Sequence, residues 1–303
     1  MKSPTMHVDA EDKVVIDALA DHMGKILDAL QTFGHEGSGW AIAESSPLNE
    51  HRQLMTRQFG PQGDWTDHAA GYLGDASLLF LLAQTDHLAV LKQIFTSYTG
   101  LMFGCGPPAR SLLELNAYVF WMLHPDIDSI RTRASRALLA ELSDASRERT
   151  AAKDLDAPPH MLTALGERVR VLKAQVEVKL YESEIDRDKS GRLILRGEKH
   201  PGPSEALQHL SVAGEEPWNT RGAYSFLSNA THPTLHVITD TIQPATNERP
   251  SQFGHPDAVY HYRLARMSMA GILKTWQLTA AYRGLDQGPS QSLLRAIDDL
   301  PTP

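Results

Sequence analysis

Val15, Leu19, Met23, Ile26, Leu30 and Phe33 recur at spacings of three and four, which stacks them on one face of a helix that Gly34 ends. From Gly34 to Gly71 the chain is rich in Gly, Pro, Ser, Asn and Gln and keeps no period. That stretch predicts a long irregular connection with one short helix around His51 to Phe59. Leu73 to Phe103 is almost continuously apolar, with Thr85 or Asp86 able to cap a second helix inside it, and Leu88, Leu91, Phe95, Tyr98 and Met102 hold helical spacing. Pro107 and Pro108 suit a helix start, where their missing amide donors would be unpaired anyway. Pro125 opens the next helix, with Asp126 and Asp128 in its electropositive first turn. The two helices are predicted over about 109–123 and 126–143.

After a charged stretch from Ser143 to Asp156, Leu162, Leu165, Val169, Leu172, Val176 and Leu180 mark another long helix. Asp188-Lys189-Ser190-Gly191 is a turn signal and Leu193-Ile194-Leu195 a strand signal, so a small β-hairpin is expected near 188–197. Helices near 204–212 and 219–231 follow, the second ending at His232 because Pro233 bars helical geometry in the residue before it. Ala258, Tyr262, Ala265, Met269, Ile272, Trp276 and Thr279 form one apolar face of a last long helix, and Val259, Leu264, Met267 and Leu273 a second, so that helix lies between neighbours. One short helix is expected after Gly284.

These periods specify an all-α, multi-helix antiparallel bundle with one small hairpin. Residues 1–72 hold an N-terminal helix and its irregular connection, 73–285 the bundle core and 286–303 a tail.

Composition narrows the setting. The 303 residues are 42% hydrophobic, enough for a substantial core, and the net charge of -8 supplies no global field to recruit polyanions. A single cysteine, Cys105, allows no internal disulfide and fits a reducing compartment, so the cytoplasm is the expected address. Met1 to Asp12 lacks the apolar centre of a signal peptide, and the longest apolar run, Leu78 to Ala83, is too short to cross a bilayer. No membrane association is expected.

Two segments carry the candidate chemistry. Arg110 and Glu114 are neighbours on one helix face, with the cation nearer the positive helix end, an order that stability alone would reverse. Arg110 is therefore a candidate to meet an anion with Glu114 orienting it, or else half of a structural ion pair. Tyr224, Ser228 and His232 recur every four residues along one helix side, with Asn229 beside them, and His232 can exchange a proton near neutral pH. The same residues could instead bond locally to their own helix. Arg131, Arg133 and Arg136, with Arg147 and Arg149, form the densest basic stretch. They make either an anion-binding face, with Arg131 and Arg136 foremost, or a solvated face paired with Glu141, Asp144 and Glu148.

Metal and other cofactors are not expected. Pro233 separates His232 from His236, and the calcium-loop-like run from Asp186 has Gly197, not a glutamate, at its twelfth position. Cys105 reads as a packing residue.

From about Leu73 to Tyr282 the chain resembles a set of mostly actinobacterial helical proteins. The resemblance rests on Arg110, Glu114, Trp121 and Pro125-Asp126, then an arginine-bearing helix, a Gly-turn hairpin and the Tyr224, Ser228, His232 helix end. Such proteins are distantly similar to the HEPN superfamily, many of whose members cleave RNA without metal or bind nucleotides. The resemblance implies a nucleotide- or RNA-directed activity with His232 as general acid/base and Arg110 stabilising phosphate charge. The HEPN signature places an arginine four to six residues before the histidine, whereas this chain has Phe226, Leu227 and Ser228 there. The alternatives are a non-catalytic helical module that binds a small ligand or a protein partner, and a helical-bundle enzyme of specialised metabolism. Candidate partners are thus a nucleotide, RNA or a second copy of the chain.

Overall fold

The computed structural model describes residues 10–35, 39–59, 64–97, 104–124, 130–179, 184–212 and 258–302. Among these residues nine helices and a three-stranded antiparallel sheet form an all-α architecture with a small β element. The helices are α1 (Ala10–His35), α2 (Pro47–Phe59), α3 (Asp64–Ser97), α4 (Gly106–Leu123), α5 (Ile130–Asp154), α6 (Pro159–Lys179), α7 (Pro203–Val212), α8 (Ala258–Arg283) and α9 (Gly288–Ala296). The strands β1 (Ile185–Arg187), β2 (Leu193–Leu195) and β3 (Glu198–Lys199) lie between α6 and α7.

Helix α4 is central because it is apolar on nearly every side. Ala109, Leu112 and Ala117 join Leu19 and Met23 of α1, Leu88 and Phe95 of α3 and Met269 and Trp276 of α8 in one core. Trp121 and Met122 at its far end join Leu48 of α2, Leu138 of α5, Leu195 of β2 and Tyr282 of α8 in a second. Asn116 fastens α4 to α8, its buried amide donating to the Gly271 carbonyl at 2.7 Å and to Thr275 Oγ1 at 2.8 Å. Both acceptors are on α8, so the amide fixes the position of the two helices along each other.

Three helices run further than the sequence pattern predicts. Helix α2 starts at Pro47 rather than near His51, and α3 starts at Asp64, inside the stretch expected to be irregular. Helix α3 is continuous where a break at Thr85 or Asp86 was expected: Thr85 Oγ1 donates back to the Leu81 carbonyl at 2.9 Å, and Leu81, Leu88 and Leu91 stay buried across the position. Helix α5 begins at Ile130 and continues through the charged stretch to Asp154. Arginine, glutamate, lysine and alanine are good helix formers, and Leu142 and Ala145 pack with Val169 and Leu172 of α6, which gives the segment a buried face.

The stretch Gly71–Ser97 of α3 has the length and apolar composition of a membrane-crossing helix. It also carries buried Ser77 and Gln84, the latter donating to the Leu112 carbonyl at 3.0 Å, and it packs against α1, α4 and α8. Its outer face exposes Leu79, Leu82 and Val90.

The expected hairpin is present and extended by a strand. Ile185 pairs with Leu195 and Arg187 with Leu193, and β2 then pairs with β3 through Leu195 and Glu198. Asp188 closes the first turn: its Oδ1 accepts from the Ser190 amide, the Ser190 hydroxyl and the Arg192 amide, and its Oδ2 from Arg192 Nε at 2.7 Å. Those bonds, the Ser190 hydroxyl foremost, hold its carboxyl well below the usual range. The oxygens that imitate a calcium loop in sequence thus serve the turn. Arg196 and Gly197, both at positive φ, make the second turn in two residues, the geometry that suits the twist of paired strands.

Candidate functional site

Arg110 and Glu114 form the ion pair that their spacing suggests, with Nε 2.7 Å from Oε1 and about a fifth of each side chain exposed. Tyr118 continues the same face of α4 one turn further on, and the three residues lead to the chain segment between β3 and α7. There the Tyr118 hydroxyl donates to the Pro201 carbonyl at 3.4 Å, and its ring lies 5.5 Å from that of His200. Trp121 presents its edge to the same imidazole at 5.5 Å. Burial, then the positive Arg147, push the His200 pKa down to about 4. His200 is therefore neutral at physiological pH and can both donate and accept a hydrogen bond.

Beside His200 a cleft of about 350 Å3 opens between α5, β2 and residues 200–202. Leu139, Leu142, Leu193 and Pro201 supply its apolar walls, and Ser143, Ser146, Arg147, Arg192 and His200 its polar groups. Arg192 is tied to Asp188 at 2.7 Å and to Glu205 at 3.5 Å. Arg147 is exposed, sits beside the Tyr118 hydroxyl and has no carboxylate within ion-pair reach among the described residues. The floor is fixed by Glu205, which reaches back from the first turn of α7 to the Gly202 amide at 3.0 Å and accepts from Lys199 Nζ at 2.7 Å.

Arg131 and Arg136, foremost in the expected anion-binding face, have other commitments. Arg136 binds Glu198 through two bonds of 2.9 and 3.0 Å, donates to the Trp121 carbonyl, and lies 5.5 Å from the Trp121 ring. Arg131 binds Glu184 at 2.6 Å. Both carboxylates come from the strand region, not from the acidic residues of α5 that the sequence offered as partners. Tyr224, Ser228, Asn229 and His232 lie outside the described residues, as does the helix expected over 219–231. Among the described residues no three His, Cys, Asp or Glu side chains cluster as metal ligands. Cys105 is buried, which pushes its thiol up to about 12 and leaves it protonated.

Tyr118 and His200 escaped the sequence reading. The signal for the cleft was there in part: Ser143, Ser146 and Arg147 share one helical face, but only if α5 extends beyond residue 143.

Two half-buried imidazoles make stability pH-dependent. His200 and His51 are both held near 4 in the folded chain, against 6.5 when unfolded. As pH falls below about 6.5 the unfolded chain takes up protons first, so stability is complete above that pH and is lost progressively toward pH 4. For His200 alone the expected loss by pH 5 is on the order of 2 kcal/mol. Urea midpoints at pH 7.5 and pH 5 check this: the wild type should drop more than His200→Gln, and equal drops would remove His200 from the account.

The fold and cleft together define a helical protein with a small, partly polar cleft between α5, β2 and residues 200–202. Comparison with protein-family models, with curated proteins and with solved structures returns no match for the chain.

Proposed function

We propose that the chain is a non-catalytic helical module that binds a small organic anion in the cleft between α5, β2 and residues 200–202. The observation that carries this reading is the meeting, in one cleft, of Arg147 without a carboxylate partner among the described residues, the neutral His200 imidazole and apolar walls. An apolar cleft with a few convergent polar groups is the usual form of a small-molecule site. Arg147 would meet the anionic group, His200 and the Ser143 hydroxyl would orient it, and Leu139, Leu142 and Leu193 would cover an apolar or aromatic body.

The HEPN-like reading needs His232, outside the described residues, together with an arginine whose Nε is already engaged by Glu114. Binding without turnover is therefore the reading preferred. Titration calorimetry with phenyl phosphate, benzoate and neutral benzamide tests it. One of the anions should bind and benzamide should not, and Arg147→Ala should weaken binding by about tenfold or more, the worth of one charge-assisted hydrogen bond. Because Arg147 is exposed, its removal should change stability by less than about 0.5 kcal/mol. If neither anion binds, or if Arg147→Ala binds as the wild type does, the proposal fails.

A further inference from the structure

Arg133 is a buried cation of α5 that no carboxylate meets among the described residues. It is 8% exposed, and its Nη2 donates to the His124 carbonyl at 3.2 Å. Its Nε and Nη1 are fully buried and have no acceptor among the described residues. The contrast with its own helix is direct, since Arg131 has Glu184 and Arg136 has Glu198. A guanidinium cannot shed its proton to escape burial, so a buried one requires a counter-charge.

Among the described residues no carboxylate lies within ion-pair reach of Arg133. The Arg133 guanidinium lies 5.8 Å from the centre of the Tyr282 ring on α8, and the Tyr282 hydroxyl is 3.2 Å from His51 Nδ1 on α2. Among the described residues the charged side chains that act on His51, Arg133 and Tyr282 are Arg52, Arg133 and Arg136, all cations. Burial and Arg133 keep the His51 imidazole neutral, and burial keeps the Tyr282 phenol protonated. Three helices thus bring together a positively charged site in which Arg133 Nε and Nη1, excluded from water, are unused donors.

We infer that the junction of α2, α5 and α8 binds a small inorganic anion, chloride or an ion of its size, against the Arg133 guanidinium beside His51 and Tyr282. A monatomic anion fits best, because the unused nitrogens are sealed within the junction and a halide sheds its water more readily than a phosphate. The site is separate from the cleft and does not depend on what the cleft binds.

Thermal melts of the full chain at fixed ionic strength in sodium chloride, bromide or gluconate test the inference. Chloride and bromide should raise Tm by several degrees over gluconate, with a saturating concentration dependence, because a ligand that binds only the folded state stabilises it by mass action. Arg133→Met should lose that dependence, whereas Arg147→Ala should keep it. If Arg133→Met does not fold, anomalous diffraction from wild-type crystals grown in bromide gives a second reading, with a peak expected within about 3.5 Å of Arg133 Nε or Nη1. Equal melting in all three salts together with no bromide peak would overturn the inference. So would a chloride dependence that arises only in an Asp126→Asn, Asp128→Asn double variant, because an aspartate would then be the native counter-charge.

Discussion

Replacing Trp276 by alanine is expected to lower the unfolding free energy by about 3–5 kcal/mol, the range for deleting a buried aromatic side chain whose surroundings cannot collapse. Trp276 has no exposed surface and lies where α8 meets the core shared with α1, α3 and α4. Its ring centre is 5.4 Å from Phe33 at the end of α1 and 6.4 Å from Trp40, two side chains whose own ring centres lie 4.8 Å apart in a tilted contact. Deletion would remove both edge-to-face contacts along with the burial. Trp276→Phe should cost far less than the alanine change, because the indole N–H has no acceptor among the described residues and phenylalanine omits that donor. Urea unfolding of both variants checks the pair. A Trp276→Ala midpoint close to the wild-type value would mean that this cluster does not hold α1 to α8.

Arg136→Met should cost about 3 kcal/mol and weaken ligand binding in the cleft at the same time. The first effect follows from stranding Glu198, which is only 23% exposed, and from losing the bond to the Trp121 carbonyl. The cost belongs at the lower end for a broken buried pair because Glu198 keeps some water. The second follows from geometry: β3 carries Glu198 and leads within two residues to His200, so releasing β3 from α5 loosens one wall of the cleft. Adding Glu198→Met should recover much of the stability by removing the uncompensated carboxylate. A double-mutant cycle should therefore give a coupling of about 1–3 kcal/mol. Additive losses would show that the two side chains do not act as a pair.

Much of the helical architecture was legible because burial imposes a period. The first helix, the core helix carrying Trp121, the last long helix and the short helix after Gly284 all follow from apolar spacing and the position of proline or glycine. The Arg110–Glu114 pair was legible for the same reason, since residues four apart on a helix must be neighbours. The run through α3 and the extension of α5 to Asp154 were harder to read, because a capping residue and a charged stretch look like ends unless one knows which side is buried. Gly197 was read only as the failed twelfth position of a metal loop. Its left-handed conformation beside Arg196 in fact turns the chain into β3, and Glu198, one residue late for calcium, is the partner of Arg136.

By itself, then, the sequence determined the helical class, the hairpin turn at Asp188 and the contacts between residues a few positions apart, since these depend on local backbone geometry and on which faces are apolar. The tertiary structure alone decided which charges neutralise each other, that His200 and His51 are desolvated and neutral, that Arg147 and His200 share a cleft, and that no carboxylate among the described residues meets Arg133. Those outcomes depend on which distant surfaces exclude water from a given group. Desolvation is a property of the packed assembly, and no spacing along the chain encodes it directly.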